Sequence, residues 1–297
     1  MAALTPMMQQ YMAIKEQYKD CILFYRLGDF YEMFYDDALT ASRELEITLT
    51  GRDCGQEERA PMCGVPYHAC DIYLNKLIEK GYKVAICEQM EDPKLAKGIV
   101  KREVIRIVTP GTNMSQAILD ETRNNYLMCI FGYNDEYGVA VCDITTGEFR
   151  TCHISSGAKL YDEINKYSPS EIIGNNAFLS SNLNFDYMKE KMKIAISEAP
   201  SHYFNDDTCE DFIKRQFKVG SIEGLGIDGQ EDMLLSTGAL LQYLHETQKS
   251  SLDHLMHIEA YETSEFMIID SSSRRNLELC ETLRDKQKKG SLLWVLD

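Results

Sequence analysis

A chain of 297 residues can bury more than one core, so two domains plus a remainder is the expected organisation. Hydrophobic residues at 44% and charged residues at 26% describe an ordinary globular composition, and no apolar run approaches the roughly 20 residues a membrane span requires. The net charge of −16 argues against a uniformly basic nucleic-acid surface, yet it is unevenly spread: residues 1–118 hold 14 Lys and Arg against 17 Asp and Glu, and the remainder holds 17 against 30.

The start, Met1-Ala2-Ala3-Leu4-Thr5-Pro6, lacks the basic residues and apolar core of a secretion signal, and a cytoplasmic location is expected. The ten cysteines include no Cys-x-x-Cys pair. Most sit in apolar runs such as Val84-Ala85-Ile86-Cys87, which reads as reduced, buried packing.

Thr5 as N-cap, Pro6 at the first helical position, and Met7, Tyr11, Ile14 and Tyr18 at helical spacing predict an opening helix. Cys21 to Leu27 reads as a buried strand closed by Gly28-Asp29, followed by a helix over Tyr31 to Leu45. A further helix is predicted from Asp71 to Lys80 with Gly81 as its stop, then strands over Tyr82–Cys87 and Glu103–Thr109. Within this first part Lys94, Lys97, Lys101, Arg102 and Arg106 make a locally basic stretch, either a solvated face or a patch for phosphates.

Three consecutive strands follow, over Tyr126–Tyr133, Val139–Ile144 and Phe149–Ile154, with turns at Asn134-Asp135-Glu136 and Thr146-Gly147; they predict a meander. A helix over Lys159–Tyr167, the apolar Ile172-Ile173-Gly174 and a helix after Asp207 complete a second α/β unit, with residues 175–206 carrying little pattern. A long helix begins at Glu231 and leads toward Met267-Ile268-Ile269. The sequence stops at Leu296-Asp297 inside a new apolar run, as a truncation would leave it.

Several motifs invite chemistry. Gly224-Leu225-Gly226-Ile227-Asp228-Gly229 fits a dinucleotide-binding glycine pattern but follows no suitable strand, and it reads as a loop. The phosphate-cradling Gly-x-x-x-x-Gly-Lys-Ser/Thr does not occur, so no ATP hydrolysis is expected of this chain. Asp143 could belong to a two-metal nuclease or could shape the turn before Gly147. Asp29-x-x-Glu32 fits a helix capping box, and Phe30 with Phe34 one turn later fits a core pair.

Phe24-Tyr25-Arg26-Leu27-Gly28-Asp29-Phe30-Tyr31-Glu32 resembles the mismatch-recognition motif of the MutS family, whose core is Phe-x-Glu. Pro61-Met62-Cys63-Gly64-Val65-Pro66-Tyr67-His68, Val84-Ala85-Ile86-Cys87-Glu88-Gln89, Arg106-Ile107-Val108-Thr109-Pro110-Gly111-Thr112 and Arg274-Arg275-Asn276-Leu277-Glu278 resemble further blocks of that family, in order. The resemblance implies an α/β fold in three parts. These are a mixed-sheet mismatch-recognition domain over 1–117, a ribonuclease-H-like connector over 118–257, and the truncated start of an all-helical lever domain over 258–297.

The same resemblance implies a non-catalytic DNA-binding role. Phe30 would enter the minor groove and stack on a mispaired or unpaired base of double-stranded DNA, and Glu32 would hydrogen-bond to it, with DNA contacts from Lys101, Arg102 and Arg106. It implies no cofactor within this chain. ATP and magnesium, homodimerisation, and a MutL-type partner reached through the connector would belong to the intact protein.

Overall fold

The apolar run Cys21–Leu27 forms strand β1, and in the computed structural model it becomes the centre of a sheet. The structure describes residues 4–92, 98–114, 124–263, 269, 271–285 and 287–296. These fall into two units, Met1–Asn125 with Tyr243–Asp253, and Tyr126–Gln242 with His254–Asp297.

In the first unit helix α1 (Pro6–Lys15) begins with Pro6 at its start, as read from the sequence, although the Thr5 side chain makes no capping bond. After β1 the chain turns in two residues into β2 (Phe30–Phe34), and only then does α2 (Tyr35–Leu45) begin. The expected helix over Tyr31–Leu45 is therefore corrected at its first four residues. Phe30–Phe34 has aromatic residues that suit either period, and antiparallel pairing with β1 selects the strand. Tyr35, at φ 51°, marks the break between the two elements.

Strands β3 (Thr50–Arg52) and β4 (Ala60–Pro66) follow, then α3 (Cys70–Glu79), β5 (Lys83–Gln89) and β6 (Arg102–Val108). The sheet order is β3-β4-β2-β1-β5-β6, with β1 and β5 parallel across α3 and the other pairs antiparallel. Alternation along the strands feeds two cores. Phe24, Tyr31, Met33, Cys63, Val65 and Ile86 pack beneath α2 and α3, whereas Leu23, Tyr25, Phe34, Ala85 and Cys87 pack against Met8 and Tyr11 of α1.

The second unit begins with the predicted meander, β7 (Tyr126–Tyr133), β8 (Glu136–Asp143) and β9 (Glu148–Ile154). Helix α4 (Gly157–Tyr167) starts at a capping Ser156 and leads to β10 (Glu171–Gly174), parallel to β7. The stretch 175–206, which carried little pattern, holds the short helices α5 (Asn176–Leu179) and α6 (Phe185–Glu190) and the strand β11 (Ala195–Glu198). Helix α7 (Asp206–Phe217) and helix α8 (Glu231–Gln248), whose residues from Tyr243 on belong to the first unit, follow, and the two-residue β12 (Glu259–Ala260) completes a sheet of order β11-β10-β7-β8-β9-β12.

Two mixed sheets with helices confirm a mixed α/β architecture. Of the region expected to start a helical domain, the described residues hold strand β12, which belongs to the second sheet, and the short helices α9 (Ser271–Asn276) and α10 (Leu292–Leu296). The Met267-Ile268 part of the apolar run lies outside the described residues. The glycine-rich stretch 224–229 is a loop, as read from the sequence.

Candidate nucleic-acid interface

Phe30 is the first residue of β2 and pairs with Leu27 of β1 on one side and Pro66 of β4 on the other. Phe30 is 47% exposed, whereas Phe34 on the same strand face is 1% exposed. The difference is one of position along the face: α1 covers the Phe34 end and leaves the Phe30 end open. The supposed core pair at helical spacing is thus a buried residue and an exposed one on a single strand.

The turn behind Phe30 is tightly held. Gly28 takes φ 58°, a conformation that costs glycine little, and closes the hairpin with Asp29. Arg26 donates to the Gly28 carbonyl, lies 3.9 Å from the centre of the Tyr67 ring, and reaches Glu88 at 3.4 Å. Tyr31 also donates its hydroxyl to Glu88. The backbone N–H of Tyr67 donates to the Asp29 carbonyl at 2.9 Å. These contacts form on the sheet face opposite Phe30 and brace the hairpin from behind.

Glu32 stands opposite Tyr25 and Gly64 in the ladders, on the same face as Phe30. The capping-box reading is overturned, because Glu32 lies within a strand and Asp29 within a hairpin turn. Glu32 instead accepts through Oε2 from Nη1 of Arg52, a residue that sequence reasoning did not single out. A side chain at Gly64 would place its Cβ 3.3 Å from the Tyr31 carbonyl and 3.5 Å from Cγ of Glu32, so glycine here leaves room for the carboxylate to lie over β4.

The basic candidates separate. Lys101 is exposed at the same end of the sheet as Phe30, since Arg102 pairs with Gln89 and Tyr25 with Cys87; it makes an ion pair with Glu103 at 2.6 Å. That contact raises its pKa above the usual lysine value. Arg102 is buried, donating to the Arg26 carbonyl at 2.7 Å, the Val100 carbonyl at 2.9 Å and Gln10 at 3.1 Å, with Tyr25 under its guanidinium. Arg106 pairs with Ile86 and therefore points to the α3 side, away from Phe30. It donates to the Thr112 carbonyl at 3.0 Å, and burial lowers its pKa. Lys94 and Lys97 lie outside the described residues.

Asp143 accepts from the Thr145 backbone N–H at 2.8 Å and the Thr145 hydroxyl at 2.7 Å, and its carbonyl accepts from Gly147 at 3.0 Å. It shapes the turn. Among the described residues no group of three His, Cys, Asp or Glu side chains is placed to hold a metal ion.

A family model described as MutS domain I matches residues 5–117, and one described as MutS domain II matches residues 125–259. The chain belongs to the MutS family. Similar MutS proteins include the DNA mismatch repair protein MutS of Lachnoclostridium phytofermentans, 62% identical over 297 residues, 100% of this chain and 32% of the relative. Those of Acetivibrio thermocellus and Ruminiclostridium cellulolyticum are 57% and 56% identical, each over 100% of this chain and 34% of the relative. The chain thus spans about a third of the length of the MutS relatives it matches.

Proposed function

We propose that this chain carries the lesion-reading part of a DNA mismatch-repair protein, in which Phe30 wedges into the minor groove and stacks on a mispaired or unpaired base while Glu32 accepts a hydrogen bond from it. The observation that carries this reading is Phe30, nearly half exposed at the tip of a hairpin braced by Arg26 and Tyr67. A wedge must be apolar and rigidly mounted, because it replaces base stacking at a kinked step.

The energetics favour damaged DNA. Stacking on an aromatic contributes about 1–3 kcal/mol per base, and opening an intact step costs a few kcal/mol, so the wedge does not open well-paired duplex unaided. A mispair lowers the opening cost, and deformability rather than base identity is then read. Lys101, at the same end of the sheet, supplies a phosphate contact; Arg102 and Arg106, engaged within the protein, hold the strand beside it. In the intact protein the same reading places an ATPase using ATP and magnesium in the remaining length, a homodimer, and a MutL-type repair protein docking on the second unit.

Fluorescence anisotropy at one fixed low salt concentration tests this with a G·T duplex, an unpaired-T duplex and a perfect duplex, because phosphate contacts make affinity steeply salt-dependent. Tighter binding of the two lesions, erased by Phe30→Ala, supports the reading. Equal binding of all three by a polypeptide of the relatives' full length overturns it.

A further inference from the structure

Glu32 and Arg52 are separated by β4: Glu32 stands opposite Gly64, and Arg52 opposite Ala60. The two side chains meet above that strand, which presents Ala60, Met62 and Gly64 on this face. The pair is partly sheltered, with side-chain exposures of 15% for Glu32 and 37% for Arg52. The contact uses Oε2 of Glu32, and Oε1 takes no hydrogen bond among the described residues.

We infer that Arg52 is a positioning residue for Glu32, which holds one carboxylate oxygen, presents the other to the mispaired base, and so sets lesion specificity rather than general DNA affinity. The inference rests on the base-recognition reading of Phe30 and Glu32. Two physical arguments support it. A glutamate side chain free to rotate loses that freedom when it binds a base, whereas one already held by Arg52 has lost it before binding. Only a mispaired step admits Glu32 deep into the groove, where a lone carboxylate is repelled by the flanking phosphates, and a guanidinium in contact with it cancels that charge. Glu32 therefore enters the groove as half of a neutral pair.

The test measures affinity for mispaired and perfect duplexes across a salt series, in a polypeptide of the relatives' full length, with thermal melting to confirm folding. Arg52→Ala is expected to lower the mispaired-to-perfect affinity ratio by about tenfold and leave the salt slope unchanged. Arg52→Lys, which keeps the charge, restores part of the ratio, and Arg52→Ala adds nothing in a Glu32→Ala background.

An unchanged ratio overturns the inference. So does an equal loss on every duplex with a salt slope smaller by about one, the mark of a simple phosphate contact. An undiminished effect in the Glu32→Ala background overturns it as well. Phe30→Ala run alongside separates the two levels: if it erases the ratio while Arg52→Ala does not, only the role of Arg52 falls, and if Phe30→Ala leaves the ratio intact, the base-recognition reading falls with it.

Discussion

The guanidinium of Arg26 lies 3.9 Å from the centre of the Tyr67 ring, tying the end of β1 to the residue that follows β4. A cation over an aromatic face contributes about 0.5–1 kcal/mol at exposed sites. Tyr67→Ala and Arg26→Lys are each expected to lower stability by about that amount, since lysine keeps the charge but not the planar stack. Amide hydrogen exchange at Gly28 and Asp29 is expected to accelerate in both; unaltered exchange would show that the hairpin is held by its backbone alone.

Phe30 and Phe34 share a strand face but differ in burial, and the two substitutions should part company. Phe34→Ala removes a ring in edge contact with Tyr11 at 4.9 Å and is expected to cost about 3–5 kcal/mol in urea unfolding. Phe30→Ala is expected to change stability by less than about 0.5 kcal/mol. Comparable losses would contradict the exposed placement of Phe30.

Asp37 is a buried anion holding three elements together. It accepts from Lys15 at 2.8 Å, from the Leu23 backbone N–H at 3.0 Å and from the Tyr11 hydroxyl at 3.2 Å. Lys15→Met leaves that carboxylate without its cation and is expected to cost about 3–5 kcal/mol by equilibrium unfolding. Lys15→Met combined with Asp37→Asn is expected to recover part of this loss, because the amide oxygen can still accept from Leu23.

Nine of the ten cysteines are buried and only Cys280 is exposed. Burial pushes the thiols of Cys21, Cys63, Cys70, Cys87, Cys152 and Cys209 up to about 12, away from the reactive thiolate. Titration with a thiol reagent at pH 8 is expected to find one fast site in the native protein and ten after denaturation. Loss of the fast site in Cys280→Ser would confirm the assignment.

Burial lowers the pKa of His245 below the usual imidazole value. An unfolded chain then takes up a proton before the native one does, so stability is full above about pH 6.5 and falls as pH drops through that value, levelling off below the folded pKa. Urea midpoints at pH 7.5 and 5.5 should differ by less in His245→Gln than in the parent chain.

Periodicity located the opening helix, β1, β5, β6, the meander and α8, since each is long and strongly patterned. It missed β4, where Pro61, Gly64 and Pro66 are residues that normally argue against a strand. Here Phe30 and Thr50 on its two neighbours supply the pairing that the local sequence does not advertise. It also read Phe30–Phe34 as helix, because the choice between periods was made by β1 rather than by those five residues. Phe30 and Glu32 were legible through the motif they belong to. Arg52 was not, because its link to Glu32 exists only across an intervening strand.

The end of the sheet that bears Phe30 gathers the hairpin at 28–29, the residues after Pro66 and the approach to β6 at Lys101, three stretches far apart in sequence. No short segment can assemble this arrangement by itself, so it arises only when the long-range pairings of the whole sheet close together. Lesion discrimination and global cooperativity should then vanish at the same denaturant concentration, and a proteolytic fragment ending before β4 should fail to discriminate however well its Phe-x-Glu segment is preserved.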